Sequence, residues 1–206
     1  EDLPKAPAIV LLAVKPQMMG VALPQVQALG GGAMRRWSAE TWHLGAFQDW
    51  HGADAAMRQQ VEDRLDYVLG ASMFVSRSWL QDVGLMDERY FLYCEELDWA
   101  LRGRGRHALG WAPEAIVRHK EGATIGTDPD GGSPLSVFHL MRSRIILARL
   151  RLPMWRWPLV AMGAMRTVAR FCAKRRWALA WTACRGAAQG AILPLSRAAE
   201  AGTRAV

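Results

Sequence analysis

Three carboxylates fall within four positions of this chain: Glu95, Glu96 and Asp98, in "YFLYCEELDWALRGRG" (90–105). They come just after Tyr90, Phe91, Leu92 and Tyr93, with Cys94 between. Apolar neighbours raise the cost of a buried charge, so each acid needs a compensating partner. The plain readings are structural. Glu95 and Glu96 would complement the dipole at a helix start, and Asp98 would pair with Arg102 four residues on. The competing reading is that this stretch is the working end of an enzyme. Other candidates are few. His119 follows a short apolar run and precedes a Gly-rich loop, and Arg142 lies early in a long helical pattern. "TDPDG" (127–131) contains an Asp-x-Asp. Gly30–Gly32 is not a phosphate loop, because no Gly-Lys-Ser/Thr follows it, and it reads as a flexible turn.

The elements that must position these groups can be read from the patterning. "AIVLLAV" (8–14) predicts a short buried strand. From Lys15 to about Val61 the pattern is irregular. "DYVLGASMFVSR" (66–77) predicts a strand interrupted at Gly70-Ala71, and a glycine inside a strand often marks the close approach of another backbone or a ligand. "SRSWLQDVG" predicts a short helix that stops at Gly84. Leu97, Ala100 and Leu101 then follow at helical spacing, up to Gly103 and Gly105. "RHALGWAP" and "EAIVRHK" predict two short strands parted at Pro113, followed by a loop over 121–134. Ser133-Pro134 is a helix entry, with a capping hydroxyl before a proline.

The bulk numbers bound the class. The 206 residues are 51% hydrophobic, which excludes a disordered chain and suits one buried domain with or without an appendage. The net charge is +7, yet residues 151–206 alone carry ten Lys/Arg against the single acid Glu200, leaving the first 150 at −2. Cys94, Cys172 and Cys184 show no metal or CxxC spacing, which predicts reduced thiols in a cytosolic setting. No secretory leader is visible, and the first apolar run is too short to span a bilayer.

Within the basic tail, "WPLVAMGAM" (157–165) and "WALAWTAC" (177–184) are each about half the ~20 residues of a spanning helix. Trp155, Trp157, Trp177 and Trp181 flank them, with Lys174-Arg175-Arg176 between. Tryptophan beside basic residues on short amphipathic helices predicts an interfacial membrane contact. The alternative is an ordinary helical pair packed on its own domain. No nucleic-acid module is present, and nucleic acid is not an expected partner.

Taken in order, Gly70-Ala71, Arg77, Gly84, Asp87-Glu88, Phe91, Glu95-Glu96-x-Asp98, Pro113, Ala115, Val117, His119 and Gly122 form a set. That set resembles the acceptor half of family 2 glycosyltransferases, closest to the rhamnosyltransferase-like branch that builds bacterial surface polysaccharides. The likeness covers about residues 25–150. It implies an α/β fold: an incomplete GT-A-like (nucleotide-diphospho-sugar transferase) domain over 1–150, followed by an amphipathic, Trp-rich helical tail over 151–206. It implies inverting transfer from a nucleotide sugar, such as dTDP-rhamnose, to a lipid-linked or polysaccharide acceptor in cell-surface glycan synthesis. The chemistry needs a carboxylate to deprotonate the acceptor hydroxyl and a divalent cation (Mg2+ or Mn2+) to offset charge on the leaving diphosphate.

By the same resemblance Glu96 is the base, where many members carry Asp. Glu95 supports it, and Asp98 anchors the helix. Gly70, Ala71 and Asp87 would bind the acceptor, and Arg142 the donor diphosphate. His119 would reach the metal or the diphosphate, with the 121–134 loop as a lid. "TDPDG" is not the family's metal pair, which lies upstream of Gly70. The nucleotide-binding βαβ half with its Asp-x-Asp is expected outside this chain, as are the main cation ligands. The chain is accordingly expected to be truncated or divergent and inactive in isolation, and to act peripherally on the cytoplasmic face of a bacterial plasma membrane. The alternative from another class is a non-catalytic membrane-surface protein that retains a degraded glycosyltransferase fold.

Overall fold

The computed structural model describes residues 9–12, 30–44, 53–113 and 132–195. Strand β1 (Ile9–Leu12) lies at the centre of a three-stranded sheet. It runs parallel to β6 (Leu109–Ala112) and antiparallel to β5 (Met73–Val75), with Ile9 opposite both Leu109 and Val75. A second three-stranded sheet has β2 (Gly31–Arg35) between β3 (Glu40–His43) and β4 (Tyr67–Val68), all antiparallel.

This second sheet corrects two expectations. Gly31 and Gly32 lie in a strand and not in a flexible turn, and the irregular stretch up to Val61 holds β2, β3 and most of helix α1 (Ala55–Arg64). The reason is long-range. A side chain at Gly32 would collide with the ring of Tyr67, its cross-strand partner, so Tyr67 supplies the bulk that β2 lacks in its own sequence. Helix α1 is started by Asp54, whose carboxylate accepts from Met57 N at 2.7 Å, and among its residues only Val61 is buried. So polar a helix gives no apolar period to read.

The expected break at Gly70-Ala71 is present and larger than a kink. A 3-10 turn over Gly70–Ser72 hands the chain from β4 in one sheet to β5 in the other. Ser76 then caps helix α2 (Arg77–Val83) through Trp79 N at 3.1 Å, and Gly84 ends it at φ 77°. Helix α3 (Glu95–Gly103) starts at the acidic cluster. Ser133 caps helix α4 (Pro134–Arg151), with Pro134 in its first turn as its sequence dictates. Helices α5 (Trp157–Ala173) and α6 (Trp177–Ile192) complete the described chain. The expected strand "EAIVRHK" lies outside the described residues, as do His119 and the 121–131 part of the expected lid.

Three apolar clusters order these parts. Trp79, Trp99 and Trp111 lie together with Val61, Leu65 and Val68 of the α1–β4 region. Leu97 and Ala100 of α3 meet Ile146 and Leu147 of α4, with Tyr67 and Tyr90 in the same cluster. On its other side α4 presents Val137 and Met141 to Phe171 of α5 and to Leu179, Ala180 and Ala183 of α6. Helix α4 is thus shared between the site-bearing helix α3 and the basic helical pair. The buried Arg144 of α4 also fastens the β2–β3 hairpin. Its Nε and Nη2 donate to the Ser38 carbonyl at 3.0 and 2.7 Å, and Glu40 lies 3.6 Å away.

Candidate functional site

The chain enters α3 through two consecutive non-glycine residues in left-handed conformation, Tyr93 (φ 67°) and Cys94 (φ 70°). Such backbone is disfavoured by about 1–3 kcal/mol per residue and persists only where surrounding contacts over-determine it. Here α4 supplies them. The Tyr93 hydroxyl lies 2.8 Å from Ser136 Oγ, Ser143 Oγ donates to the Leu92 carbonyl at 2.8 Å, and Arg142 Nη1 donates to the Arg89 carbonyl at 2.8 Å. The reversal places all three acids in the first turn of α3, where backbone N–H groups and the helix dipole favour negative charge.

Each acid then meets a different environment. Glu96 Oε1 accepts the Gly70 backbone N–H at 3.0 Å, so the strand break and the acidic cluster, 26 residues apart, form one site. A Cβ at Gly70 would crowd that same oxygen, so any side chain there must displace the Glu96 carboxylate. Burial pushes the Glu96 carboxyl above the ordinary carboxylate range, partly opposed by backbone hydrogen bonds, that from Gly70 among them. Glu95 is pushed up to about 7, by burial first and then by the charge of Glu96. Its buried Oε2 has no hydrogen-bond partner among the described residues. Glu95 can hold a proton near neutral pH, and the raised proton affinity of Glu96 beside it suits a group that accepts one.

Asp98 differs from both. It is fully buried, and its oxygens accept from Arg102 Nε at 3.2 Å, Arg151 Nε at 2.6 Å and the Tyr90 hydroxyl at 3.2 Å. Its charge is consumed in fastening α3 to the last turn of α4. The pairing with Arg102 matches the sequence expectation, and Arg151 adds a partner that no local spacing could disclose.

Of the other expected site residues, Ala71 follows Gly70 on the exposed turn. Asp87 is held by Arg89, whose Nε and Nη2 both reach its carboxylate, and these contacts lower its pKa against the opposing effect of burial. Arg142 is half-buried and engaged with the Arg89 carbonyl. The structure therefore brings Gly70, Ala71, Glu95 and Glu96 together and links Asp87 to Arg142 through Arg89. Sequence reasoning passed over Tyr67. Its hydroxyl is buried beside Glu96, which helps raise its pKa after the larger effect of burial. Tyr67 looked like an ordinary strand residue, and only its pairing with β2 places it here. Among the described residues no group of three or more His, Cys, Asp or Glu is placed to hold a metal ion, and His119 lies outside them.

A mixed α/β chain that presents a pair of perturbed carboxyls at a strand break and a helix start is compatible with part of a glycosyltransferase domain. The comparison with known proteins agrees at that level. Over 121 residues the chain is 33% identical to the N-acetylglucosaminyl-diphospho-decaprenol L-rhamnosyltransferase of two Mycobacterium tuberculosis strains. The matched stretch is 56% of this chain and 38% of those proteins, so the chain spans well under half of their length. No family model matches the chain. The likeness supports a glycosyltransferase relationship for this stretch.

Proposed function

We propose that this chain is the acceptor side of an inverting family 2 glycosyltransferase that moves rhamnose from dTDP-rhamnose to a lipid-linked glycan in cell-wall synthesis. The observation that carries the reading is the bond between Gly70 N–H and Glu96 Oε1, which joins two motifs of the resemblance into one site. Gly70 fixes one carboxylate oxygen and leaves the other to take the proton of the acceptor hydroxyl. As that oxygen attacks the anomeric carbon from the face opposite the leaving group, the new C–O bond forms and the bond to the nucleotide diphosphate breaks. Configuration inverts, and the proton ends on Glu96. Raised proton affinity suits Glu96 to this task. Glu95, part-protonated near neutral pH, spares Glu96 a full second charge and can donate a hydrogen bond to the acceptor. The divalent cation takes its ligands from groups other than the described residues and would offset the charge on the leaving diphosphate.

The same reading puts the chain on the cytoplasmic face of the plasma membrane, where a lipid-linked acceptor resides. Helix α5 exposes Met162 and Met165, and α6 exposes Trp177, Trp181 and Ile192, while neither helix contains an acidic residue. No helix among the described residues is long and apolar enough to cross a membrane, so these faces suit contact with its surface.

The test replaces Glu96 by Gln at the chromosomal locus and assays membranes for rhamnose transfer from dTDP-rhamnose to polyprenyl-diphosphate-linked N-acetylglucosamine. Loss of a general base predicts a fall of about 10²–10⁴-fold with the protein still folded and abundant. Unchanged transfer would leave the rival, a non-catalytic surface protein of the same fold, as the better account.

A further inference from the structure

A cleft of about 780 Å3 opens between the β2–β3 hairpin, α4 and α5, and Cys94, the residue before the acidic cluster, forms part of its wall. Cys94 is followed directly in the chain by Glu95 and Glu96, so the cleft adjoins the carboxyl site. Its electrostatics are one-sided. Arg35, Arg144, Arg166 and Arg170 line it against the single carboxylate of Glu40. Glu40 is already engaged by Arg35 at 2.8 Å and lies 3.6 Å from Arg144. Arg166 and Arg170, one helical turn apart on α5, are exposed and have no ion-pair partner among the described residues.

Apart from Thr41 and Thr167, the rest of the lining is largely apolar. Leu140 and Met141 come from α4, Ala169 and Ala173 from α5, and the half-exposed Trp42 from β3. The apolar surface continues along α5 to the exposed Met165 and Met162. Guanidinium groups set among apolar side chains in one cleft, with exposed Met165 and Met162 further along α5, define an amphiphilic ligand. Guanidinium forks match the oxygens of a diphosphate, and the wall suits a hydrocarbon chain attached to it. A free nucleotide would leave the wall uncovered, and a cation would be repelled.

We propose that this cleft binds the diphosphate and first isoprenoid units of a polyprenyl-diphosphate acceptor, with Arg166 and Arg170 as its free phosphate ligands. The site rests on the reading of the chain as a transferase for a lipid-linked acceptor, and it adds the place where the lipid carrier is held. Held there, the carrier would present its sugar to Glu96 while its tail left along α5.

Equilibrium dialysis with radiolabelled farnesyl diphosphate, a soluble prenyl diphosphate, tests the site without requiring sugar transfer. The expected results are saturable binding, at least tenfold weaker binding of inorganic pyrophosphate and of farnesol, and at least tenfold weakening by Arg166→Gln with Arg170→Gln. Both substitutions are at exposed positions, and circular dichroism checks the fold. Farnesyl diphosphate bound equally by the double variant would overturn the proposal. So would its full displacement by phosphatidylglycerol vesicles, which would mark the cleft as a general headgroup site. The two readings fail separately. A chain that binds farnesyl diphosphate but whose native locus supports no rhamnose transfer loses the proposed function and keeps the site. Normal transfer with an unchanged KM for the lipid acceptor in the double variant does the reverse.

Discussion

At Gly70 a single methyl group would fall on Oε1 of Glu96. Gly70→Ala must therefore push the carboxylate aside or distort the turn, while leaving every ionisable group in place. Misplacement of a reacting group by about 1 Å can cost on the order of 10²-fold in rate, and that is the loss expected in the rhamnosyl-transfer assay, with little change in melting temperature. A variant with full activity would show that Glu96 does not need this anchor. Glu95 is best probed by pH. In the folded chain it is held up to about 7, against an ordinary 4.5, so between these values the folded state keeps a proton that the unfolded chain releases. Stability is then greatest below about 4.5, falls as pH rises towards 7, and the contribution is gone above it. Glu95→Gln should flatten that part of the curve, by on the order of 1 kcal/mol after discounting for partial solvent exposure. Urea midpoints across the range would read it, and an identical slope in the variant would contradict the burial of Glu95.

Among the elements, α4 joins the parts and α6 is fitted closely to it. A Cβ added at Gly186 would meet the Phe138 carbonyl, and one at Gly190 would lie 2.5 Å from that of Arg142. Gly186→Ala gains helix propensity yet forces the two backbones apart, so a net loss of about 1–3 kcal/mol is expected in thermal unfolding. A stabilised variant would argue against this packing. What could be read in advance about such elements followed from how local their causes are. Helices α2, α3 and α4 announced themselves through Gly84, the Asp98–Arg102 pair and Ser133-Pro134, all signals within a few residues of the boundary. Strand β2 did not, because its bulk is lent by Tyr67, and α1 did not, because it buries almost nothing. The site divides in the same way. Its carboxylates and Gly70 stood out in sequence. The left-handed pair Tyr93–Cys94 and the Arg-lined cleft arise from contacts with α4 and α5, and the Tyr67 neighbour from its pairing with β2, none of which spacing encodes.

At the scale of the molecule, α5 and α6 combine basic residues, no acid and a set of exposed Met and Trp side chains. Removing these helices would not test membrane contact cleanly, since Leu179, Ala180 and Ala183 belong to a core shared with α4. Trp177→Ala with Trp181→Ala is the better probe, because both rings are about two-thirds exposed. Co-sedimentation with phosphatidylglycerol vesicles should fall at least tenfold for the double variant with its unfolding midpoint unchanged. Equal sedimentation would remove the membrane reading while leaving the carboxyl site untouched.

The contact between Arg144 and Ser38 has a consequence in time. It joins positions 106 residues apart, so the chain must gather α4 and the hairpin from opposite ends of the described sequence before either bond can form. Loop closure on that scale is entropically slow, and contacts of such separation come late in assembly. Helices α3 and α4 can condense first around Leu97 and Ile146, leaving the β2–β3 hairpin to dock afterwards. A nascent chain would then carry its carboxyls on a formed helix before the wall of the cleft beside them exists, making the seating of Arg144 a late step in the maturation of the site.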